Sequence, residues 1–381
     1  MALKPNEGHH FGGTGGDSFP GRPPSWRGPL VEVDRLETHD PSQLVAYLDT
    51  LDLSEVTDSH EGDTAVGLLL GARACAELAG LPLPAPSPTG VPEVVAVTYR
   101  RGERAGRELG AASTGEWRTS WTDGQHALAV ETVRDAIARG EVYQANVVGH
   151  RSASFSGDPY AAGAAVAALP GARYGGVVGG QGWLVASASP EQLVRVEGRR
   201  VTTVPIKGTS HDRDALLASA KDRAEHVMIV DLERNDLARV TAPGSVVVDD
   251  LYEVSDWAGL WHASSLVSGR LVDGVGTLDV LRALAPGGSV TGAPKHAACA
   301  LLADLEPIGR GPAMGAFGFL WPGGLDLGLT IRTVAVADGA VHLWAGGGIT
   351  WGSDPATEVA EAHAKAAPVQ AALAQVRPSS S

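Results

Sequence analysis

Two segments of the chain carry acidic side chains at helical spacing. Asp222 and Glu225 are three residues apart in the first segment, so they share one face of a helix. Glu358, Glu361 and Lys365 follow the i, i+3, i+7 pattern in the second. If the two faces meet, four carboxylates converge, and they stay ionised only beside a cation. Because oxygen ligands without His or Cys favour Mg²⁺, the pattern predicts a magnesium site formed by these four carboxylates.

A salt-bridged helix surface is the simpler interpretation of the second segment on these residues alone. Glu361 and Lys365 are also an i, i+4 pair, and such pairs are common on exposed helices. The sequences of the surrounding loops are therefore needed to distinguish a metal site from a solvent-exposed helix face.

Lysine is rare in this sequence. Only five of the 30 Lys and Arg residues are lysines: Lys4, Lys207, Lys221, Lys295 and Lys365. Coding bias toward Arg explains the scarcity. However, the lysines that remain are candidates for positions where a cation must lose its proton, which Arg cannot do. Lys207 is such a candidate because it lies beside a glycine in the motif PIKGT.

Three glycine-rich loops border the predicted helices. They are PIKGT (205–209), PGGSVTGAPK (286–295) and AGGGI (345–349). Loops of this composition bring backbone N–H groups close to an anion. A tight turn is the alternative for each, since glycine supplies 49 of the 381 residues.

Strand and helix signals predict an α+β fold of mainly antiparallel sheets flanked by helices. Alternating runs surround turns at Glu197-Gly198 and Asp338-Gly339, and helices are expected at about 214–219, 221–237 and 355–372. We expect a disordered tail over 1–28, a small lobe over 29–120, a catalytic domain over 121–373 and a tail over 374–381.

Composition excludes several classes of protein. The net charge of −14 argues against a nucleic-acid partner, which requires a basic surface. No apolar run approaches the roughly 18 residues of a membrane span, and no signal-peptide core follows the first residues. Cys75 and Cys299 are too few for a disulfide framework, so we expect a reducing, cytoplasmic setting.

Six motifs in order resemble the chorismate-binding enzyme family, over about residues 125–370. They are PIKGT, EHVMIVDLERNDLARV, HASSLVSGRL, PGGSVTGAPK, TIRTV and GGGITWGSDPATEVAEAHAKA. The family includes anthranilate, aminodeoxychorismate, isochorismate and salicylate synthases. The resemblance implies an α/β sandwich that binds chorismate and Mg²⁺.

Site residues follow from the resemblance, position by position. Glu225 and Glu361 resemble metal ligands, with Asp222 and Glu358 beside them. Glu191, in SASPEQL, resembles the general acid. His262 resembles the histidine that faces the substrate ring; without the family it would be interpreted as a core histidine. The expected substrate contacts are Arg332, Gly347, Gly348, Lys365, Ser289, Thr209 and Gln144.

Two positions favour one member of the family, aminodeoxychorismate synthase component I. Relatives that use water carry a Lys base near the position of Gln144, and an amide cannot abstract a proton. Lys207 stands where anthranilate synthases usually have Ala. A Lys amine can add at C2 of chorismate as the C4 hydroxyl leaves, and ammonia can then attack C4 and expel the Lys. This nucleophile must be partly neutral, so we expect the pKa of Lys207 to be lowered, and we expect the pKa of Glu191 to be raised.

Departures from the family and alternative functions remain. Ala313 follows RGP where a Tyr is common, and Trp351-Gly352 stands where an acidic residue commonly precedes Ser353.

Three alternative functions stay open: anthranilate synthase component I, 2-amino-2-deoxyisochorismate synthase and a non-catalytic chorismate-binding subunit. No reactive Cys with a partner His is visible, so ammonia is expected from a separate glutamine amidotransferase subunit. The pathway, folate through para-aminobenzoate or a secondary metabolite, stays open, and feedback by tryptophan is not expected.

Overall fold

A computed structural model of the chain describes residues 30–51, 53, 64–102, 107–257 and 260–376. At Thr209, Lys221, Trp257 and Leu260 it describes the backbone only. The tail expected over 1–28 and the last five residues of the tail expected over 374–381 lie outside the described residues. None of the helices in the described ranges combines the length and apolar character that crossing a bilayer requires.

The described strands form two antiparallel sheets. In chain order the strands are β1 (Leu30–Thr38), β2 (Ala65–Leu70), β3 (Val94–Arg101), β4 (Ala112–Thr114), β5 (Arg118–Thr119), β6 (Gln144–Gly157), β7 (Tyr174–Gly180), β8 (Trp183–Ser189), β9 (Gln192–Glu197), β10 (Arg200–Val204), β11 (Ile206–Ser210), β12 (Val247–Trp257), β13 (Leu260–Arg270), β14 (Gly292–Ala293), β15 (Ala316–Trp321), β16 (Gly324–Leu329), β17 (Thr333–Ala337) and β18 (Ala340–Ile349).

Helices connect and cover these strands. They are α1 (Ser42–Asp49), α2 (Ala72–Leu78), α3 (Asp123–Ala138), α4 (Pro159–Ala167), α5 (Arg213–Ala218), α6 (Ala220–Ala238), α7 (Thr277–Leu284), α8 (Lys295–Leu305) and α9 (Pro355–Ala374), with a short 3₁₀ helix, η1 (Gly288–Val290). Antiparallel sheets flanked by helices confirm the α+β fold predicted from the sequence.

The first sheet joins the two predicted parts of the chain. Its order is β1-β3-β2-β15-β16-β9-β10-β13-β11, with β12 paired to β13. Strands β1 to β3 of the predicted small lobe therefore continue, through the pairing of β2 with β15, into strands of the predicted catalytic domain. The second sheet has the order β14-β6-β18-β17-β8-β7, and β4 and β5 also pair with β6.

Alternation along the second sheet divides its side chains between two cores. Trp344 and Val148 face the first sheet and belong to the largest apolar cluster. Val341 and Leu343 face the other way and pack against α4 and α9 in a second cluster. Successive strand residues point to opposite faces, which is why one strand serves both cores.

Local signals explain where the site-bearing helices begin. The Ser219 side chain accepts a hydrogen bond from the backbone N–H of Asp222 at 3.1 Å and caps α6. Asp354 accepts from the N–H of Thr357 at 2.9 Å, and Pro355 occupies the first helical position of α9. Each cap fixes the helical register of the acidic residues in the first two turns.

Candidate active site

Lys207 and Glu191 are held together by one residue of η1. Lys207 lies on β11, and its Nζ donates to the backbone carbonyl of Ser289 at 3.3 Å. Glu191 precedes β9 and is 4% exposed, and its Oε1 accepts from the N–H of Ile206 at 3.4 Å. The Ser289 side chain hydrogen-bonds to the Glu191 carboxyl. Ser289 therefore contacts both the amine and the acid.

Burial shifts both groups toward their neutral forms. It lowers the pKa of the Lys207 amine, against the opposing charge of Glu191. It raises the pKa of the Glu191 carboxyl, against the opposing charge of Lys207. Transfer of one proton from Lys207 to Glu191 removes two buried charges at once. Both pKa values thus move in the direction that a nucleophilic amine and a general acid require.

The two acidic helices approach the same lysine. The charges of Glu225 on α6 and Glu361 on α9 both act on Lys207 and raise its pKa against the larger effect of burial. On α9, Glu358 is 3% exposed. Glu361 is 44% exposed at its side chain and pairs with Lys365 Nζ at 2.7 Å. The i, i+4 ion pair and the inward-facing carboxylate therefore coexist on one helix.

These carboxylates supply oxygen ligands, the type that Mg²⁺ prefers. Within the described ranges, no three His, Cys, Asp or Glu side chains converge closely enough to enclose an ion. Mg²⁺ usually takes one or two protein carboxylates and completes its shell with water and substrate oxygens. Glu225 and Glu361, one from each helix, fit that requirement. Asp222 is partly buried one turn before Glu225, and its Cβ lies close to Gly208.

Two adjacent glycines keep the end of β18 open. A Cβ on Gly347 would lie 3.0 Å from Oε2 of Glu358 and 3.6 Å from Nζ of Lys365. A Cβ on Gly348 would collide with Nε2 of Gln144. Gln144 is 2% exposed, and its Nε2 has no hydrogen-bond acceptor among the described residues. This amide is thus a buried donor available to a ligand.

Arg332 and His262 lie close to each other, since the charge of Arg332 acts on the imidazole. Arg332, between β16 and β17, has a φ of 50°, a conformation that non-glycine residues adopt at a cost. Burial lowers the pKa of its guanidinium, and no described carboxylate pairs with it. His262 on β13 is 1% exposed, and burial, with the nearby Arg332 charge, lowers its pKa to about 4. The imidazole is therefore neutral at pH 7.

Thr209 can be placed by its backbone alone. Its Cα is the ladder partner of His262 across β11 and β13. Its side chain lies outside the described part of the chain, so its predicted substrate contact stays a prediction.

Sequence reasoning missed several buried polar groups around the site. His226 on α6 is fully buried and its Nε2 lies 2.6 Å from the Ser265 hydroxyl. Glu233, which lies nearer the C-terminal end of α6, is 3% exposed and accepts a hydrogen bond from Thr203 at 3.3 Å. Arg310 forms a buried ion pair with Glu306. Their motifs were visible, but only the tertiary packing of α6, α8 and η1 shows that these groups are buried.

The chain belongs to the chorismate-binding enzyme family. The family model, described as chorismate binding enzyme, matches residues 84–371.

Sequence relatives divide between two activities. The chain is 41% identical over 276 residues to anthranilate synthase component 1 of Streptomyces coelicolor, covering 68% of this chain and 54% of the relative. It is 34% identical over 278 residues to aminodeoxychorismate synthase component 1 of Bacillus subtilis, covering 70% of this chain and 59% of the relative. The chain thus matches little more than half the length of these relatives, and identity does not separate the two activities.

Solved structures share the fold. Anthranilate synthase component I from Streptococcus pneumoniae superposes with a TM-score of 0.75 at 24% identity, covering 90% of this chain and 91% of that chain. The menaquinone-specific isochorismate synthase of Escherichia coli gives 0.70 at 18% identity, covering 90% and 84%. These similarities confirm the architecture of a chorismate-utilising enzyme.

Proposed function

We propose that this chain is an aminodeoxychorismate synthase component 1, an aminotransferase-type synthase that converts chorismate and ammonia to 4-amino-4-deoxychorismate. The observation that carries the proposal is the partly buried Lys207 amine, which shares Ser289 with a buried Glu191 carboxyl. An anthranilate synthase has no need of a nucleophilic amine at this position.

The first half-reaction uses both buried groups. The neutral Lys207 amine forms a bond to C2 of the ring, the two ring double bonds each shift by one position, and the C4–O bond breaks. Glu191 gives its proton to the departing hydroxyl, which leaves as water. This step uses one proton on Glu191 and one lone pair on Lys207, and burial shifts both pKa values toward those forms. With the pair in that state, no outside acid or base is required.

The second half-reaction reverses the electron flow. Ammonia attacks C4, both double bonds shift back to their original positions, and the C2–N bond to Lys207 breaks. The Glu191 carboxylate recovers a proton from the incoming ammonia, and Lys207 leaves as the neutral amine. The sum is chorismate and ammonia in, and 4-amino-4-deoxychorismate and water out, with both residues restored.

Other residues bind and orient the substrate. The Arg332 guanidinium is a fork suited to a carboxylate, and we propose that it pairs with one of those of chorismate. Lys365, the N–H groups of Gly347 and Gly348, and the Gln144 amide would supply further polar contacts. When bound, Mg²⁺ would neutralise and orient the ring carboxylate, and Glu225 and Glu361 are the residues proposed to hold it.

Component 1 in the relatives' names supports a partner subunit. We propose that a separate glutamine amidotransferase supplies the ammonia and that the protein works in the cytoplasm. On this proposal the isolated chain uses ammonium but not glutamine, and glutamine becomes a nitrogen source only when the partner is added.

Anthranilate synthase component 1 is the second candidate, because the Streptomyces coelicolor relative at 41% identity carries that name. The deciding experiment is product identification by mass spectrometry with chorismate, ammonium and Mg²⁺. 4-Amino-4-deoxychorismate from the wild type, lost in Lys207→Ala, supports the proposal. Anthranilate and pyruvate from both proteins would overturn it.

An adduct trap sharpens that result. Without ammonium, the peptide containing Lys207 should gain the mass of chorismate less one water. Lys207→Arg places a permanent cation of similar length at this position, and this cation cannot act as the nucleophile, so the variant should give neither the adduct nor the product.

A further inference from the structure

Arg310 connects three separate segments of the chain near the candidate active site. It is 5% exposed and pairs in a fork with Glu306: Nε donates to Oε2 at 2.8 Å and Nη2 to Oε1 at 2.6 Å. Its Nη1 donates to the carbonyl of Val290 at 2.6 Å, and Nη2 also donates to the carbonyl of Asn146 at 2.7 Å. Four hydrogen bonds thus use most of the donors of one guanidinium.

Glu306 completes the connection from the other side. Its Oε1 also accepts the backbone N–H of Val148 at 3.0 Å, so the pair is tied to β6 at two points. Burial opposes the charge of Arg310, but Glu306 more than compensates, and the pKa of the guanidinium is raised. The cation therefore persists in the interior and keeps its fixed geometry.

The Val290 carbonyl connects the Arg310–Glu306 pair to the residue that contacts Lys207 and Glu191. Val290 ends η1 and directly follows Ser289, whose carbonyl accepts from Lys207 and whose side chain bonds to Glu191. Asn146 Nδ2 donates to the same Val290 carbonyl at 3.3 Å. Displacement of η1 at Val290 would therefore also displace the adjoining Ser289, whose groups contact the amine and the acid.

We propose that Arg310 and Glu306 are positioning residues that fix η1, so that Ser289 holds the Lys207 amine and the Glu191 carboxyl in reactive register. The inference rests on the proposed function for the role of Lys207, but it extends to a pair that contacts neither substrate nor reacting atoms. A misplacement of about 1 Å in such a support can lower turnover by about 10²-fold.

The test is a double-mutant cycle between Arg310→Lys and Glu191→Gln, followed as consumption of chorismate. Lys at 310 can keep the charge beside Glu306 but cannot reach both backbone carbonyls. We expect kcat to fall about 10- to 100-fold in Arg310→Lys while KM for chorismate changes less than about threefold. Combined with Glu191→Gln, the second loss should be much smaller than the first, because the acid being positioned is already gone.

Arg195→Lys is the matched control. Arg195 also forms a partly buried ion pair, with Asp326 at 3.3 Å, but it donates no hydrogen bond to η1 among the described contacts. Its effect on kcat should be small and should simply multiply with that of Glu191→Gln.

Three results would overturn the inference. One is a loss in Arg310→Lys that multiplies fully with Glu191→Gln, and another is a loss confined to KM. If Arg310→Lys does not fold, the isosteric Glu306→Gln carries the same cycle, and failure of both to fold assigns the pair a purely structural role. Product identity separates the two hypotheses: wild type that makes anthranilate ends the proposed function, while the cycle still decides the role of Arg310.

Discussion

The two sides of the candidate active site differ in the solvent exposure of their ionisable groups. On the helix side, Glu361 is 44% exposed and its carboxylate is neutralised by Lys365. On the η1 side, Glu191 is 4% exposed and shares Ser289 with a lysine whose pKa is lowered by burial. The first side keeps ionised oxygens near water, where a hydrated cation can be exchanged. The second side is more enclosed, and burial shifts both groups toward the neutral forms that covalent chemistry requires.

The largest expected effect comes from removing the Lys207 amine on the η1 side. Lys207→Ala should lower formation of 4-amino-4-deoxychorismate by about 10³-fold or more, because loss of a nucleophile removes the covalent route. The measurement is the initial rate with saturating ammonium. Chorismate binding, followed by calorimetry, should persist, and a rate within tenfold of wild type would mean that ammonia attacks without an adduct.

Removing the acid should have the next largest effect. We expect Glu191→Gln to lower kcat by about 10²- to 10⁴-fold, the usual contribution of a general acid. Because the pKa of Glu191 is raised, its acid form is lost as pH rises, and the kcat of the wild type should fall with rising pH. The variant should lack this decrease, and an unchanged pH profile would assign proton delivery to another group.

On the helix side, the expected change is in the affinity for the metal ion rather than in the rate of the chemical step. Glu361→Gln should raise the Mg²⁺ concentration for half-maximal activity by about 10- to 100-fold, with kcat largely recovered at high Mg²⁺. Asp231→Asn is the control, since Asp231 lies on α6 but pairs with Arg234 at 64% exposure. Equal Mg²⁺ requirements in both variants would remove Glu361 from the proposed metal site.

The smallest effect separates burial from catalysis. Glu93 is 5% exposed, and burial raises its pKa to about 7, although it lies in the first part of the chain. The folded state keeps a proton that the unfolded state releases near 4.5, so the stability from this group is present below about 4.5 and is lost as pH rises to about 7. We expect Tm to fall between pH 5 and 8 by about 2–5 °C, and to fall less in Glu93→Gln.

Differential scanning fluorimetry of both proteins across that range measures the difference. Identical pH slopes would mean that Glu93 is ionised in the folded state. Catalytic activity at pH 7 should be the same in the two proteins, which distinguishes this buried glutamate from Glu191.

Short-range signals predicted much of the fold. The hairpin at Asp338-Gly339 formed with both residues at positive φ, and α9 begins at Pro355, directly after the expected capping residue Asp354. Helices expected at 214–219 and 221–237 occur at 213–218 and 220–238. These features depend on residues close in sequence, so turn and cap chemistry was enough to find them.

Long-range contacts explain what the sequence could not predict. Ser289 was expected to touch substrate, and its bonds to Lys207 and Glu191 depend on three chain segments that are distant in sequence. The proximity of Gly348 to Gln144 follows only from the pairing of β18 with β6. No role was predicted for Arg310, because its four acceptors lie on Glu306, Val290 and Asn146, which the sequence alone does not bring together.

The hydrogen-bonded pairing of β2 with β15 limits how far the chain can be shortened. A fragment that begins after Arg101 would retain all the residues assigned to the reaction. It would nevertheless expose the backbone edge of β15 and its apolar neighbours, which invites aggregation of one fragment with another. A minimal catalytic unit therefore has to include the first three strands, even though none of them supplies a reacting group.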